Sequence, residues 1–359
     1  MYRILIMIIL ILTISHSFGQ KVTRAIKKGN IKKVEKWLFS DFITNDDGIE
    51  VDAEEGLNHT FLITTKDGDS IALHPLVYAC ALGEFEIARL IISEKNLFEN
   101  YNHLISESLG ASIPHNDLGF ISFLLEEGAG VNTVCEACHN ACPAAIALAY
   151  QYYDIFEILL DNGAKLTNPE AGYDVMYSAA GCDSLALLMD LVENHKLNVN
   201  QRTNLNGNSP VMNAFLKGQL ENVEYLVSKN ADLSILDFEN NNILFYCTSK
   251  DAFQYAEELL KANNVDFTYP DIHIIIERDN RELFDYYVNK FPDRIYGKDY
   301  NGDNAYFSLL HIEKNTRYFY ETLRKAGLKL ESDRDGNSVL DYSKWMKKTV
   351  LKKLIKDNL

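Results

Sequence analysis

Three cysteines and one histidine fall within eight residues: Cys135-Glu136-Ala137-Cys138-His139-Asn140-Ala141-Cys142. Groups of this kind at this spacing have several chemistries open to them. Two of the thiols can oxidise to a disulfide, the usual state of cysteines in an exported protein. Three thiolates with His139 have the donor types for zinc, although ligands crowded into one short turn rarely close a tetrahedron. Cys135 to His139 also spells C-x-x-C-H, the pattern of covalent haem attachment. That chemistry needs an apolar enclosure, and no Met-rich or aromatic pocket adjoins the cluster. Unpaired thiols are the remaining state. The expectation is one disulfide among Cys135, Cys138 and Cys142, with no metal and no cofactor. Cys135, Cys138, His139 and Cys142 are the alternative ligand set.

Elsewhere the chemistry is sparser. Asn45-Asp46-Asp47-Gly48, followed by Glu54, imitates a calcium loop, but counting back from Gly48 puts Ile43 where the first carboxylate belongs. There is no Gly-rich phosphate loop, serine-nucleophile motif or His-Glu zinc motif. His74, His273 and His311 are scattered. Cys80, Cys182 and Cys247 read as small core residues, with Cys182, at an inter-helix turn, the one of the three that could be exposed. No catalytic residue is assigned, and an enzyme is not expected.

The formal net charge is -16 over 359 residues. Such a balance argues against nucleic acid, whose phosphates demand Lys and Arg. It also argues against an anionic membrane surface, and it permits a basic protein partner. At the N-terminus Arg3 precedes an apolar run from Ile4 to Ile14, broken only by Thr13, and Ser17-Phe18-Gly19 follows. This is the pattern of a signal peptide over residues 1–19, with cleavage before Gln20 and an exported mature chain.

The elements that must carry these residues are announced by a recurring phrase. Asp333-Arg334-Asp335-Gly336-Asn337-Ser338 has counterparts in Asp299-Tyr300-Asn301-Gly302-Asp303-Asn304 and in Asn204-Leu205-Asn206-Gly207-Asn208-Ser209. Asp237-Phe238-Glu239-Asn240-Asn241-Asn242 is a degraded copy. Apolar pairs such as Leu124-Leu125, Leu159-Leu160, Leu191-Val192, Leu226-Val227 and Leu259-Leu260 recur about every 33 residues. Within one period Pro210-Val211-Met212-Asn213-Ala214 opens a helix and Lys217-Gly218-Gln219-Leu220-Glu221 turns to the next. Val223, Leu226 and Val227 form an i, i+3, i+4 stripe, and Asn230-Ala231-Asp232-Leu233 closes the unit. Pro75-Leu76-Val77-Tyr78-Ala79 and Leu82-Gly83-Glu84-Phe85 repeat that order. Gly128-Ala129-Gly130-Val131-Asn132 and Gly163-Ala164-Lys165-Leu166 repeat the closure.

This grammar resembles the ankyrin repeat family. The resemblance implies an all-α solenoid of about nine or ten helix-turn-helix units with β-turn fingers over residues 20–359. Residues 21–38 read as an N-terminal capping unit. Residues 333–359 read as a C-terminal one, with Trp345, Val350, Leu351, Leu354 and Ile355 on one side and lysines on the other. The step from Leu38 to Ile91 is 53 residues, so residues 40–70 form an acidic insertion, with Thr60-Phe61-Leu62-Ile63-Thr64 as a strand of an extended hairpin. The resemblance further implies a non-enzymatic, monomeric protein-binding module. Its partner would lie against fingers and first helices, away from nucleic acid and, after cleavage, from membranes. An inhibitor of a toxic basic enzyme and an accessory factor for an exported redox protein are the two sharper versions. The candidate contact residues are the finger acids Asp67, Asp69, Asp237, Glu239, Asp299, Asp303, Asp333 and Asp335, expected at tips off the helical core.

Overall fold

The computed structural model describes residues 24–38, 42–44, 50–52, 61–64, 70–98, 100–299 and 301–358. The signal segment, the calcium-like loop, Asp67 and Asp69 lie outside the described residues. After a helical turn at residues 24–27 come helix α1 (Ile31–Leu38) and strands β1 (Phe42–Thr44), β2 (Glu50–Asp52), β3 (Phe61–Thr64) and β4 (Ser70–Leu73). Helical pairs follow: α2 (Pro75–Ala81) with α3 (Phe85–Ser93), α4 (Tyr101–Ser112) with α5 (Leu118–Glu126), α6 (Pro143–Ala149) with α7 (Tyr153–Asp161), and α8 (Val175–Ala180) with α9 (Leu185–Glu193). Next are α10 (Pro210–Lys217) with α11 (Leu220–Ser228), a 3-10 turn at Ile243–Tyr246 with α12 (Lys250–Ala262), and α13 (Ile272–Glu277) with α14 (Arg281–Lys290). The last are α15 (Ala305–Ser308) with α16 (Thr316–Lys325) and α17 (Val339–Trp345) with α18 (Thr349–Lys356).

The chain divides into two compact units, the first essentially residues 1–179 and the second the chain from 206 onward with residues 180–194 and 198–202. Both are built alike. First helices are short and apolar on all sides: Ala144 to Leu148 in α6 and Val211 to Phe215 in α10 are buried throughout. Second helices bury one stripe, as Val223 and Leu226 do in α11. A helix apolar all round must be covered all round, and packing between its neighbours provides that cover. Many of these helices are too short to persist alone, so the order of each pair depends on the pairs beside it.

Four strands make two hairpins where the sequence suggested one. β1 pairs antiparallel with β2 (Ile43 opposite Val51), and β3 with β4 (Ile63 opposite Ile71). Among the described residues these are the only named strands; the rest is helix and turn. The C-terminal pair also departs from expectation. Leu351, Leu354 and Ile355 are buried, but Trp345 and Val350 are exposed. Counted from Ser338, Trp345 occupies the place that Leu216 holds counted from Ser209. It ends α17, next to the turn between the helices, and lies off their buried faces.

The turn inside several of the pairs contains a left-handed residue. Gly218 is one, at φ 71°, as the Gly in that phrase anticipates. The pair α13/α14 has no such Gly, and Asp279 adopts φ 48° instead. Its carboxylate offsets the strain by reaching the following pair. Oδ2 accepts from the backbone N–H of Lys314 at 2.9 Å, and Oδ1 from that of Asn315 at 2.9 Å. Burial alone would raise this carboxyl, but those N–H donors, with the Asn315 side chain, hold it below the usual range.

A second stitch joins α12 to α14. Glu257 is buried. It accepts from Lys261 at 2.7 Å, and from Lys290 and the Tyr269 hydroxyl at shorter contacts. Burial opposes ionisation, but the two ammonium groups and the phenol overcome it and bring the carboxyl down to about 2. A depressed carboxyl stabilises the fold fully above its unfolded value and ceases to do so as pH falls through its folded value. Glu257→Gln should therefore lose on the order of 1–3 kcal/mol at pH 7. The deficit should shrink between pH 4.5 and about 2, as the wild-type carboxylate takes up its proton. Urea unfolding across that range checks this, and a deficit independent of pH would contradict it.

Candidate partner-binding fingers

Three copies of the recurring phrase fold in the same way. In the fingers at 237, 299 and 333 the backbone N–H of the opening Asp donates to the carbonyl four residues on: Asn241, Asp303 and Asn337 at 2.9–3.0 Å. The residue three positions after the Asp is left-handed: Asn240 at φ 64°, Gly302 at 86° and Gly336 at 81°. The Asp Oδ1 then accepts two backbone donors across the turn. Asp237 takes Glu239 and Asn241, Asp299 takes Asn301 and Asp303, and Asp333 takes Asp335 and Asn337, all at 2.8–2.9 Å. Nine residues on, a tyrosine caps the other oxygen in two fingers. Tyr246 donates to Asp237 Oδ2 at 2.6 Å and Tyr342 to Asp333 Oδ2 at 2.8 Å.

The candidate acids thus separate into two kinds. Asp237, Asp299 and Asp333 close the turns, and Asp237 is 7% exposed. The expectation that this residue lies off the core is corrected: its carboxylate sits where two N–H groups and a phenol converge. Glu239 and Asp335 are exposed. Asp303 is half-buried, and burial, followed by the charges of Asp299 and Asp333, pushes its carboxyl up. The last effect shows that neighbouring finger acids feel one another's field.

The cysteine cluster is a finger of the same kind. Cys135 bridges Ala141 as Lys298 bridges Asn304 and Ser332 bridges Ser338. His139 takes the left-handed position at φ 55°. Where other fingers place Asp, this one has Glu136, and a Cys135–Cys138 disulfide spans the turn. With both sulfurs in that bond, neither residue serves as a thiolate ligand. Cys142 is a buried thiol, its pKa raised chiefly by that burial. Helix α4 backs onto the finger so closely that a Cβ at Gly110 would meet the Cys135 Cβ at 2.6 Å. Cys80, Cys182 and Cys247 are free and buried. Cys182 is buried as a small core residue should be, with only 1% of it accessible. Among the described residues no group of three or more His, Cys, Asp or Glu could hold a metal ion.

Sequence reasoning passed over one feature of the fingers. Phe238, next to Asp237, is 62% exposed. The Arg202 guanidinium lies 5.3 Å from its ring centroid, and donates to Gly207 O at 2.9 Å and Leu236 O at 2.7 Å. The Phe238 N–H donates to Asn206 O at 2.9 Å. The aromatic is therefore presented from a braced turn. The signal was present: the residue after the opening Asp or Asn is large in each copy, namely Leu205, Phe238, Tyr300 and Arg334.

A shallow groove between α12 and α14 is lined by Lys250, Glu282, Asp285, Tyr286, Asn289 and Lys290. Two of its charges are already engaged, Lys290 by Glu257 and Asp285 by Tyr318 at 2.7 Å. Asp237→Ala should cost on the order of 2 kcal/mol or more, because it strands two backbone donors and a phenol. Glu239→Ala should change stability by less than about 0.5 kcal/mol, as exposed substitutions do. Thermal melts of the pair check the division; equal losses would contradict it.

Comparison with known proteins accords with this geometry. Residues 175–271 match the family model described as ankyrin repeats (3 copies). The chain is 24% identical over 212 residues, 57% of its length, to ankyrin repeat protein nuc-2 of Neurospora crassa. It is 24% identical over 182 residues, 46% of its length, to alpha-latrocrustotoxin-Lt1a of Latrodectus tredecimguttatus. The aligned regions span 19% and 13% of those two proteins. Helices come in consecutive pairs, several with a left-handed residue between them, such as Gly218 and Asp279. Residues 175–271 of the chain are thus similar to ankyrin repeats.

Proposed function

We propose that the chain is an exported, non-enzymatic protein-binding module whose ankyrin units, nine or ten in number, continue on both sides of the matched region. Ankyrin repeats generally mediate protein–protein interaction, and that general role is the base of the proposal. Export rests on the apolar run and small residues at the N-terminus. Among the described residues no helix is long and apolar enough to cross a membrane.

The observation that carries the reading is the braced tip at Phe238. An exposed aromatic held by a cation and a backbone hydrogen bond loses little freedom on binding, and such residues dominate interface energetics. Glu239 beside it, with Asp335 on another finger, supplies negative charge at exposed positions. The partner is therefore a protein with a basic surface and a pocket for an aromatic ring. The finger acids steer it and Phe238 anchors it.

Affinity capture from the native exported fraction identifies that partner, and kinetics with purified components then test the roles. Phe238→Ala should weaken binding about tenfold or more, mainly through faster dissociation. Glu239→Lys with Asp335→Lys should slow association several-fold at low salt and have little effect at high salt, where exposed charges are screened within a few ångström. A partner indifferent to both changes would show that the contact surface lies elsewhere.

A further inference from the structure

The net charge of the whole chain conceals a strong asymmetry. Residues 344–359 contain six lysines, Lys344, Lys347, Lys348, Lys352, Lys353 and Lys356, against one acid, Asp357, for a charge of +5. The chain total is -16, so residues 1–343 carry -21. This basic end coincides with the turn from α17 to α18, where the apolar side chains face outward. Trp345 is 62% exposed, Met346 43% and Val350 51%. Trp345 packs edge-on against Tyr342 at 5.1 Å, and Lys347 takes the left-handed corner at φ 56°. Lys344 is paired with Asp341 at 2.8 Å. Among the described residues the other five lysines form no ion pair.

We propose that this turn, residues 344–350, is a docking tip for an anionic lipid bilayer. Three properties select that occupant. The exposed apolar residues Trp345, Met346 and Val350 lie close in sequence where α17 gives way to α18, so they suit a soft surface that an indole can enter. Tryptophan favours the headgroup region, and lysine stems lie along apolar surface while their ammonium groups remain at phosphate level. The charge is complementary to anionic headgroups, and it acts locally: beyond about 8 Å at physiological ionic strength it is screened. The acidic remainder therefore does not prevent contact by this end. The low affinity for anionic membranes inferred from total charge holds for the chain as a whole and fails for this end.

The test uses the full mature chain with sucrose-loaded vesicles of phosphatidylcholine alone, or with about 30% phosphatidylserine. Co-sedimentation should be at least about tenfold stronger with phosphatidylserine and should fall as salt rises. In a Trp37→Phe variant, Trp345 is the sole tryptophan, and its emission should shift to shorter wavelength on anionic vesicles. Lys347→Glu, Lys348→Glu and Lys353→Glu together should reduce binding about tenfold or more with circular dichroism retained. Trp345→Ala should reduce it several-fold without abolishing the salt dependence. Should the Trp37→Phe chain not fold, wild-type co-sedimentation against the two lysine and tryptophan variants decides alone. Absence of binding to either vesicle, or unchanged binding by the triple variant, overturns the proposal. So does a blue shift with polyglutamate but not with vesicles, which would assign the tip to an acidic protein. Self-association that the lysine reversals abolish would assign it to a second copy and likewise overturn it.

Discussion

A chain that reverses direction several times in every 33 residues leaves backbone N–H and C=O groups open at each reversal, and buried ones must be paired. The fold depends on how those groups are met. Asn132 shows the pattern in one unit: its Oδ1 accepts from the Lys165 N–H at 2.7 Å and its Nδ2 donates to Gly163 O at 3.2 Å. Asn200 repeats it in the other, accepting from Asp232 at 2.7 Å and donating to Asn230 O at 3.3 Å. Each is an amide of one closing phrase serving the backbone of the next. Asn242 and Asn304, five residues after the finger Asp, each donate to a carbonyl of the following closure, Thr268 O at 2.8 Å and Lys329 O at 2.9 Å. Asp279 does the same for the inner turn. Hydrophobic burial holds the helices together, and these polar stitches set their spacing and register.

This arrangement explains why the fingers tolerate so much variation. A finger needs a left-handed corner and an acceptor, or a crosslink, across its turn. Asp with Gly, Asp with Asn, and Cys135–Cys138 with His139 all meet the requirement. Once closed, the tip residues are at liberty to differ. Phe238, Glu239, Arg334 and Asp335 sit on equivalent frames yet present an aromatic, two acids and a cation. The residues free to vary are thereby separated from those that close the turn within a six-residue phrase. The separation is incomplete at Asp237, Asp299 and Asp333, where the most regularly repeated acids are those engaged in the turn.

Much of the architecture was legible because it follows from short-range rules. The apolar stripes, Gly83 and Gly218, and the Asp/Asn-Gly phrases declare helices, inner turns and fingers without reference to anything distant. What stayed hidden depends on three-dimensional partners. Asp279 reads as an ordinary surface acid until the N–H groups of residues 313–315 are placed beside it. The pairing of Cys135 with Cys138, leaving Cys142 reduced, was one of three choices open to the spacing. The Trp345 error has a different origin: helical periodicity grouped it with Leu351 and Leu354, although a left-handed Lys347 separates the helices and rotates it outward. A net charge summed over 359 residues carries no information about where +5 is concentrated.

The central claim is that order passes between neighbouring pairs through side-chain stitches onto backbone, with no single core. Hydrogen exchange of Asp279→Ala, followed by mass spectrometry, addresses it most directly. Removing that carboxylate should accelerate exchange through α13 to α16, residues 272–325, while α10 and α11 and the helices of the first compact unit keep wild-type protection. Loss of protection throughout the chain would indicate one cooperative core, and unchanged exchange at residues 313–315 would show that the stitch carries no weight; either result would contradict the account.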